Sequence, residues 1–524
     1  MFSKISLGSA KKLLAVLLTF AIVLPLIGVA TPVKAAPPDG VYSFGAGASG
    51  DLGLGSETRN VYLPTIIPDL DNVKKVEAGY SHSLILSHNG DVYTFGENSS
   101  GQLGHGDREN KFIPTKIEGI GRAKAVAGGD DHSLILMENG DVYSFGGNTW
   151  GMLGHGDKED RLVPTKIAGI SNAVAVSAGQ THSLVLLENG DVYSFGYSRR
   201  GQLGQGKGGD ANHYTPFLIP GLGKATSISA GRFSSMVLLE NGDVYTFGSN
   251  QWGQLGYETS VYTHETPTRI EGLGPAKDVS AGEDHSLVLL EDGDLYSFGQ
   301  GSYGQLGHGD ISQVVNRPTN VTALSGVSLI YAGMKHSLAV LENGDVYSFG
   351  LGSVGRLGHG DTTNKATPTR IEALHGNNGL AIAAGHNHSL VLIGIPPISI
   401  RIDGMLLQTE VPPLIIEGRT MVPLRAIFEA LDVDVEWIAE TRTIVGTKGE
   451  SRIQLTVDST EATVNGEAVS LDAPATVMEG RTLVPVRFIA ESTGQEVDWE
   501  PRTRTVLITT IEPGDDFIEP GDDF

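Results

Sequence analysis

The 524-residue chain contains no cysteine, so no disulfide can hold it together and its stability must come from a packed core. Basic residues are also scarce: 37 lysines and arginines stand against 61 aspartates and glutamates, which gives a formal charge of −24. A surface with this charge repels DNA and anionic lipid, which argues against a nucleic-acid role. The sequence also lacks a nucleophile elbow, a distinctive pair of carboxylates and a phosphate-binding loop, so we expect no enzyme, no metal and no cofactor.

One long apolar run lies near the N-terminus. Lys4, Lys11 and Lys12 precede apolar residues 13–30, and residues 33–35 fit a small-residue cleavage site. Pro25 within the run favours a cleaved signal peptide, residues 1–35, over the alternative of a retained membrane anchor. We therefore expect a secreted, extracellular protein of the Gram-positive exported type, either free or associated with the cell wall, with no membrane span after cleavage.

The chain is built on a repeat of about 51 residues. A Phe-Gly pair is followed each time by Gly-x-Leu-Gly, and the phrase Ala/Gly-Gly-x-x-His-Ser-Leu recurs at the same period with small variations. Repeats of 20–50 residues are typical of solenoids and propellers, whose units bury their apolar faces against one another. The glycines of the seven Phe-Gly pairs are Gly45, Gly96, Gly146, Gly196, Gly248, Gly299 and Gly350.

Each unit contains a β-hairpin. Residues 182–196 predict a strand, a two-residue turn at Asn189-Gly190 and a second strand, because a type I′ turn favours Asn-Gly. The first strand is apolar on both faces, so we expect it between neighbouring sheets. Residues 39–45 supply the second strand of a seventh hairpin, and residues 388–394 supply its first strand. This split predicts a closed ring of seven blades, completed from both ends of the repeat region.

Residues 39–394 resemble the regulator-of-chromosome-condensation repeat family of seven-bladed propellers. The resemblance rests on Asn98 to Asp107, on Pro114 to Ile117, on the His-Ser-Leu phrase and on Asp-Val-Tyr-Ser-Phe-Gly. It implies the fold strongly and the activity weakly, because one fold hosts many functions. The founding member is a nucleotide-exchange factor for a small nuclear GTPase, whereas other members are bacterial and secreted, including an inhibitor protein of β-lactamases.

A second duplication follows the short linker at residues 395–397. Residues 417–425 recur as residues 479–487, and Trp437 and Trp499 share the same offset of 62. Each half predicts a strand, a short helix with a proline at its first turn, and further strands. In the first half we expect a helix that turns an apolar face to the core, formed by Leu424, Ile427, Phe428 and Leu431. The fold class is thus an all-β seven-bladed propeller plus a small α+β domain with a duplicated strand-helix-strand unit.

Residues 398–511 resemble the copper amine oxidase N-terminal-like domain, a stalk module of exported Gram-positive proteins, through the repeated Glu-Gly-Arg-Thr-x-Val-Pro-x-Arg. Copper amine oxidation needs imidazole ligands and a tyrosine. The last histidine of the chain is His388 and the last tyrosine is Tyr347, so no catalytic copper is expected here. The heptad Ile-Glu-Pro-Gly-Asp-Asp-Phe at residues 511–517 recurs at residues 518–524. We expect residues 512–524 to form an acidic, disordered tail without a calcium site.

Two further patterns follow from the repeat. Residues 45–50 match Gly-x-Gly-x-x-Gly, but no helix follows, so a dinucleotide site is excluded. Six histidines each open the same inner strand of a different blade, so we expect them to be buried and hydrogen-bonded, not to bind one metal. They are His82, His132, His182, His285, His336 and His388, and Ser234 takes the place in the fourth repeat.

Function is expected where the copies differ. The two residues before each Gly-x-Leu-Gly occupy one loop on one face of the ring, and several of them are aromatic or arginine, the types that anchor protein interfaces or stack on sugars. The alternative is that the two tryptophans fill gaps between blades. The predicted partner-binding residues, with neighbours from adjacent longer loops, are Trp150, Arg199, Arg200, Trp252, Tyr303, Tyr214 and Tyr257.

The leading hypothesis is therefore an exported, non-enzymatic scaffold that binds an extracellular or cell-envelope protein through one loop face. A carbohydrate- or cell-wall-binding propeller is the alternative, with Trp150, Trp252 and Tyr303 as stacking platforms. A propeller hydrolase or lyase would need a cluster of acids or histidines on one face, which the sequence does not show. Guanine nucleotide exchange by family analogy would require that the chain stay in the cytoplasm.

Overall fold

A computed structural model describes residues 39–510, except 57, 71, 207–211, 312–313, 377, 395–397, 410–412, 417–418, 472, 479–480 and 501–504. The predicted signal peptide, the linker and the acidic tail lie outside these residues, so those three assignments stay predictions. In the part of the chain that is described, no helix is long and apolar enough to cross a bilayer.

The repeat region folds into seven four-stranded antiparallel sheets, one for each blade. This confirms the predicted seven-bladed propeller. The innermost strands border the central channel and are β3 (Val73–Ala78), β7 (Ala123–Gly128), β11 (Ala173–Ala178), β15 (Ala225–Ala230), β19 (Ala276–Ala281), β23 (Val327–Ala332) and β27 (Asn378–Ala384). The second strands are β4 (His82–Ser87), β8 (His132–Met137), β12 (His182–Leu187), β16 (Ser234–Leu239), β20 (His285–Leu290), β24 (His336–Leu341) and β28 (His388–Gly394).

The third strands end in the Phe-Gly pairs or just beyond them, and they are β1 (Gly40–Ala46), β5 (Val92–Gly96), β9 (Val142–Gly146), β13 (Val192–Gly196), β17 (Val244–Ser249), β21 (Leu295–Gln300) and β25 (Val346–Gly350). The outer strands are β2 (Asn60–Ile66), β6 (Lys111–Lys116), β10 (Arg161–Lys166), β14 (His213–Leu218), β18 (Thr263–Arg269), β22 (Val314–Asn320) and β26 (Lys365–Arg370). Two single 3-10 turns, Ser353–Gly355 and Glu372–Leu374, are the helical segments described between residues 39 and 394. We number the blades 1 to 7 from β3–β6 onward, so that blade 7 contains β27, β28, β1 and β2.

Blade 7 closes the ring from both ends of the repeat region. Strand β1 pairs with β28 in an antiparallel register from Gly40 opposite Ile393 to Gly45 opposite His388. The sheet order is β2-β1-β28-β27, the same as in the continuous blades. Val41 and Phe44 of β1 are fully buried between neighbouring sheets. The split hairpin seen in the sequence is therefore confirmed as the closure of the propeller.

The core lies between the blades. In four of the seven blades the second strand is buried at every position, because its side chains pack against the sheets on both sides. The phenylalanine of every Phe-Gly pair is also fully buried. Removing one such ring costs about 3–5 kcal/mol in typical cores, so each repeat contributes to stability through its neighbours.

The repeated histidines form bonds between blades. They open the second strand and not the innermost one, so they do not face the channel. His82 Nε2 lies 2.9 Å from the hydroxyl of Ser133 in the next blade, and that hydroxyl donates its own proton to the carbonyl of Gln102. Because the serine proton is already used, the imidazole must donate from Nε2. Burial lowers the pKa of His82 to about 4, so the ring is neutral at pH 7. This bond joins neighbouring blades at six of the seven junctions. One of the six is the bond between His388 of blade 7 and Ser83 of blade 1.

The glycine of Gly-x-x-His is required by the same contact. A Cβ atom on Gly79 would lie 2.2 Å from His82 Cε1 and 2.6 Å from the carbonyl oxygen of Gly129. Neither group can move away, since the imidazole is held by Ser133 and the carbonyl accepts a bond from Tyr80 N–H. The repeated phrase thus encodes one hydrogen-bonded seam between blades.

Asp51 is an exception to the repeat and lies in the closure. Four of the other blades have glutamine at this position, whereas Asp51 is buried, its Oδ1 has no hydrogen-bond partner among the described residues, and its Oδ2 lies 3.6 Å from Nδ1 of His388. Burial raises the pKa of this carboxyl to about 7. The folded state therefore holds a proton that the unfolded chain has released above about pH 4, and the stability linked to this proton is lost as pH rises through 7.

We expect Asp51→Gln to stabilise the propeller at pH 8 by about 1–3 kcal/mol, because it removes a buried charge and restores the residue used by other blades. The gain should shrink toward pH 5, where Asp51 is already neutral. Urea unfolding at pH 8 and pH 5 measures both values. Asp51→Asn serves as the control for charge alone, and an Asp51→Gln effect of equal size at both pH values would contradict the explanation.

The C-terminal region forms a separate set of sheets. One sheet has the order β30-β29-β41-β40, a second has β31-β32-β39-β38, and a third is the five-stranded β33-β34-β35-β36-β37. The elements are β29 (Ser399–Ile402), β30 (Met405–Leu406), β31 (Leu414–Ile416), β32 (Arg419–Pro423), α1 (Leu424–Ala430), β33 (Asp434–Ile438), β34 (Thr443–Lys448), β35 (Ser451–Thr456), β36 (Glu461–Val464), β37 (Glu467–Ser470), β38 (Thr476–Met478), β39 (Arg481–Pro485), α2 (Val486–Ser492), β40 (Gln495–Glu500) and β41 (Thr505–Thr510).

The duplicated strand-helix-strand unit is confirmed. The two copies meet where β32 pairs antiparallel with β39, with Val422 opposite Val484. Pro423 and Pro485 lie at the N-caps of α1 and α2, immediately before each helix. The predicted face of α1 is buried: Ile427, Phe428 and Leu431 belong to the core, and Leu424 packs against it.

Candidate functional site

One face of the propeller carries the variable positions. Gly96 pairs with His82, so the loop after Gly96 and the Gly-x-x-His turn lie at the same end of the blade. The same register holds in the other blades, for example between Gly196 and His182. The predicted partner-binding loops and the mouth of the channel therefore share one face.

In the four copies of the loop that contain glutamine, a repeated hydrogen bond to its side chain holds the tip, whereas the Trp150 loop has Met152 at this position. The backbone N–H of Arg200 donates to Gln202 Oε1 over 3.1 Å, and the N–H groups of Trp252 and Tyr303 make the same bond to Gln254 and Gln305, each over 2.9 Å. These loops are thus fixed without using the variable side chains. A fixed loop lowers the ordering cost of association.

The channel mouth on this face is lined by the residue that follows each repeated glycine. Around the channel, which encloses about 480 Å³, Gln180 donates to Asp130 over 3.0 Å, and Arg232 donates from Nε to Gln180 over 2.8 Å. Arg232 also bonds Glu283 through Nη1. On the other side, Tyr80 stacks on His386 with ring centroids 4.2 Å apart. Polar side chains therefore surround the mouth, and hydrogen bonds join some of them to one another.

Next to this ring lies a cluster that we call the aromatic arc: Trp150, Tyr197, Arg200, Arg232 and Phe233. The Trp150 and Tyr197 rings meet edge to face at 5.2 Å, and the Tyr197 and Phe233 rings lie 6.1 Å apart. The guanidinium groups of Arg200 and Arg232 lie 5.8 and 5.1 Å from the Phe233 ring, within the range of cation–π attraction. The arc joins side chains from blades 2, 3 and 4.

Of the other predicted residues, Tyr214 lies beside the arc, whereas Trp252 and Tyr303 lie in the loops of the following blades. Tyr214 packs over Gly151, the neighbour of Trp150, and Lys158 lies 5.3 Å from its ring. Trp252 and Tyr303 are half-buried in the corresponding loops of blades 4 and 5, and Lys335 lies 5.5 Å from the Tyr303 ring.

Arg199 and Arg200 are both exposed, and neither guanidinium has an ion-pair partner among the described residues. Tyr257 has a different role, because it stands where other blades have the histidine of Leu-Gly-His. Its hydroxyl is buried and burial raises its pKa to about 12, so this group is not available to a partner.

The sequence reading missed Tyr197, Arg232 and Phe233. A clue was present, since the two residues between Gly and His also differ from copy to copy, as in Arg232-Phe233 and Tyr80-Ser81. The hairpin register would have placed these positions on the face of the loops.

Acidic side chains flank the arc. Burial raises the pKa of Asp130 to about 6, and the neighbouring charge of Asp131 adds to the shift. Burial likewise raises the pKa of Asp284 to about 6, with a further contribution from Glu283. Within the described residues, no group of three or more histidines, aspartates and glutamates is arranged to hold a metal ion. The face therefore offers binding chemistry: aromatic rings in mutual contact, an acidic border, and Arg199 and Arg200, which have no acidic partner in the described part of the chain.

Comparison with known proteins places this geometry in a family. The RCC1-like domain matches residues 40–391, and the copper amine oxidase N-terminal domain matches residues 401–508. The chain belongs to the RCC1-like family. The two predicted resemblances are thereby confirmed, and the C-terminal region carries the copper amine oxidase N-terminal domain without histidine or tyrosine.

Curated relatives of this RCC1-like chain align over part of their length. The ultraviolet-B receptor UVR8 of Arabidopsis thaliana is 33% identical over 192 residues, which are 35% of this chain and 43% of that protein. The human E3 ubiquitin-protein ligase HERC2 is 34% identical over 376 residues, which are 69% of this chain and 6% of that protein. The chain thus matches less than half of either relative's length.

Solved structures of this family share the propeller. Yeast RCC1 (Prp20), solved bound to Kap60, is 26% identical with a TM-score of 0.62, covering 68% of this chain and 89% of that one. A structure of Prp20p from Saccharomyces cerevisiae, described with its binding properties to Gsp1p and histones, is 27% identical with a TM-score of 0.62, covering 68% and 92%.

Proposed function

We propose that this RCC1-like protein is a non-enzymatic scaffold whose aromatic arc binds a partner protein. The observation that carries the proposal is the continuous contact from Trp150 through Tyr197 to Phe233, flanked by Arg200 and Arg232. Tryptophan, tyrosine and arginine dominate the energetic centres of protein interfaces. The similar yeast propeller is described together with protein partners, which supports binding to a protein.

The geometry favours a protein over a sugar. A sugar-binding platform needs an open aromatic face. Trp150 is 41% exposed and meets Tyr197 with its edge, whereas Trp252 is half-buried. The arc instead combines rings with charged groups, which fits a polypeptide surface that carries both apolar and acidic side chains. Arg200 of the arc and the adjacent Arg199 have no acidic partner among the described residues, and they would pair with carboxylates of that surface.

Location and attachment are further parts of the proposal. The N-terminal features of the sequence support export, and the partner would then be an extracellular or cell-envelope protein. The copper amine oxidase N-terminal domain would serve as a stalk or attachment module. Exchange-factor activity remains the family alternative, and it would require a GTPase in the same compartment.

We expect the double variant Trp150→Ala/Arg200→Ala to lose at least ten-fold in capture of the physiological partner, because both an aromatic anchor and a charge contact are removed. Quantitative crosslinking and pull-down from the native culture, with intact chain as bait, measures the change. Trp437→Ala is the matched control, since Trp437 in the C-terminal domain is 49% exposed and lies outside the propeller.

Equal capture by the intact chain and the double variant would remove the arc from the proposal. Capture that is sensitive to glycosidase and persists after protein is digested from the sample would support the carbohydrate alternative. A bound GTPase whose nucleotide release is accelerated would support exchange-factor activity.

A further inference from the structure

The channel mouth on the loop face carries more acidic than basic charge. Asp130, Asp131 and Asp284 form no ion pair among the described residues, and Arg232 pairs with Glu283 instead. Burial and neighbouring negative charges raise the pKa of each of the three aspartates. A ligand that brings positive charge to this mouth would relieve their mutual repulsion.

Glu283 offers one carboxylate oxygen to such a ligand. The residue is 9% exposed and lines the channel, and its Oε2 has no hydrogen bond among the described residues, while Lys335 Nζ lies 3.8 Å away. Glu77, the other buried glutamate that lines the channel, uses both oxygens, since Lys75 binds Oε1 over 2.6 Å and Tyr331 donates to Oε2 over 2.9 Å. Buried polar atoms are nearly always hydrogen-bonded, so Oε2 of Glu283 calls for a donor from outside the chain.

Tyr80 and His386 form an aromatic wall beside these acids. Their rings stack with centroids 4.2 Å apart and an angle of 25° between the planes. Burial raises the pKa of Tyr80, and the charges of Asp130 and Glu283, from blades 2 and 5, add to the shift. Both carboxylates therefore lie close enough to act on the stack. Burial lowers the pKa of His386 to about 4, so the wall is neutral at pH 7.

The chain itself shows how this mouth holds a guanidinium group. Arg232 donates from Nε to Gln180 and from Nη1 to Glu283, and its guanidinium lies 5.1 Å from the Phe233 ring. An acid, an amide oxygen and a ring thus surround one guanidinium. Blade 4 carries Arg232 and lies three blades from blade 1, so the wall at Tyr80 is a separate place with the same kinds of group.

We propose that the channel mouth binds the guanidinium of an arginine side chain from the partner protein, between the Tyr80–His386 stack and the carboxylates of Asp130 and Glu283. Guanidinium suits these groups because its planar donors bond carboxylates and its face stacks on aromatic rings. The channel encloses about 480 Å³, within the range of ligand pockets. The inference deepens the proposed function and rests on it, because the protein that contacts the aromatic arc would supply this arginine.

The test uses the purified full-length chain and N-acetyl-arginine methylamide as the probe. N-acetyl-citrulline methylamide has the same shape without the charge and is the matched control. We expect saturable binding of the arginine compound that is about ten-fold tighter than binding of the citrulline compound. Free arginine should bind no more tightly, because its α-carboxylate would meet the acidic border. Ligand-observed NMR titration gives the dissociation constants.

Variants locate the site. Glu283→Gln and Asp130→Asn should each weaken binding of the arginine compound about five-fold or more, because each removes one charge and keeps the side-chain volume. Glu188→Gln is the control, since Glu188 is an exposed acid beside the hairpin turn at the other end of blade 3. Thermal unfolding of every variant checks that the propeller is intact.

Absence of saturable binding, equal binding of the citrulline compound, or indifference to both substitutions would each overturn the proposal. Clearly tighter binding of free arginine would overturn the side-chain origin and assign the mouth to a free amino acid. These measurements need no partner, so they are separate from the pull-down described above. Normal partner capture without binding of the arginine compound would reject the mouth alone, whereas binding of that compound with unchanged capture by Trp150→Ala/Arg200→Ala would reject the arc alone.

Discussion

A chain that lacks Gly40–Ala46 is expected to lose the cooperative unfolding of the propeller. Strand β1 buries Val41, Tyr42 and Phe44, whose removal together costs about 8 kcal/mol or more. That loss is comparable with the total stability of about 5–15 kcal/mol typical of a protein domain. The deletion also exposes the edges of β28 and β2, which pair with β1 in the intact ring. Thermal unfolding followed by circular dichroism measures the effect.

Two controls separate closure from simple loss of core. Phe44→Ala and Phe349→Ala each remove the same buried ring, one from blade 7 and one from the continuous blade 6, so they should cost similar amounts of about 3–5 kcal/mol. The deletion must cost clearly more than Phe44→Ala. A peptide of residues 39–46 should restore part of the lost stability. A truncated protein that melts within a few degrees of the intact chain would show that the β1–β28 pairing does not hold the ring closed.

Acidification should destabilise the propeller steeply between about pH 6.5 and pH 4.5. Burial lowers the pKa of His82 to about 4 and that of His132, His182, His285 and His388 to about 3, and it lowers the pKa of His336 well below its usual value. In this window the unfolded chain takes up six protons that the folded chain refuses. The stability linked to these histidines is therefore complete above pH 6.5 and is lost as pH falls.

Buried carboxyl groups oppose this trend in part. The raised pKa of Asp51, Asp130 and Asp284, about 7, 6 and 6, means that the folded state holds about three protons that the unfolded chain lacks near pH 5. For these nine groups the net difference of about three protons gives a slope of about 4 kcal/mol per pH unit. His386, whose pKa burial also lowers to about 4, acts in the same direction as the other histidines. Urea unfolding at pH 6 and pH 5 measures this slope directly.

A single substitution tests the origin of the slope. His182→Ser reproduces the residue that the fourth repeat has at Ser234, and it should reduce the slope by about 1.4 kcal/mol per pH unit. It should also lower stability at pH 7.5, because the bond to Ser235 is lost. His88→Ser, at an exposed position, should leave the slope unchanged. Stability that stays level from pH 6.5 to pH 5 in the native protein would disprove the account.

Much of the fold was predictable because repetition makes the pattern redundant. The period predicted the blades, and Asn-Gly turns between apolar strands predicted their hairpins. The split hairpin at residues 39–45 and 388–394 predicted closure. The hydrogen-bonded role of the repeated histidines also followed, but their partners did not, because His82 and Ser133 lie 51 residues apart on different blades.

The candidate site was predictable in part. Trp150 and Arg200 were identified from variation between loops, but the chain of contacts that joins them runs through Tyr197 and Phe233. Tyr257 was assigned to the same set because of its residue type, whereas its hydroxyl is buried in the blade. Residue type alone does not show which way a side chain points.

The amino-acid sequence by itself determined the number of blades, the closure of the ring and the duplication in the C-terminal domain, because each follows from the regular spacing of repeated motifs along the chain. Only the tertiary structure decided which variable side chains become neighbours, since that depends on how successive blades are placed around the channel. The two tryptophans of the C-terminal duplication illustrate the same limit. Trp499 packs against the core, whereas Trp437, at the equivalent position, is exposed on β33. Equal local sequence specifies equal strands, but burial is set by what packs beside them.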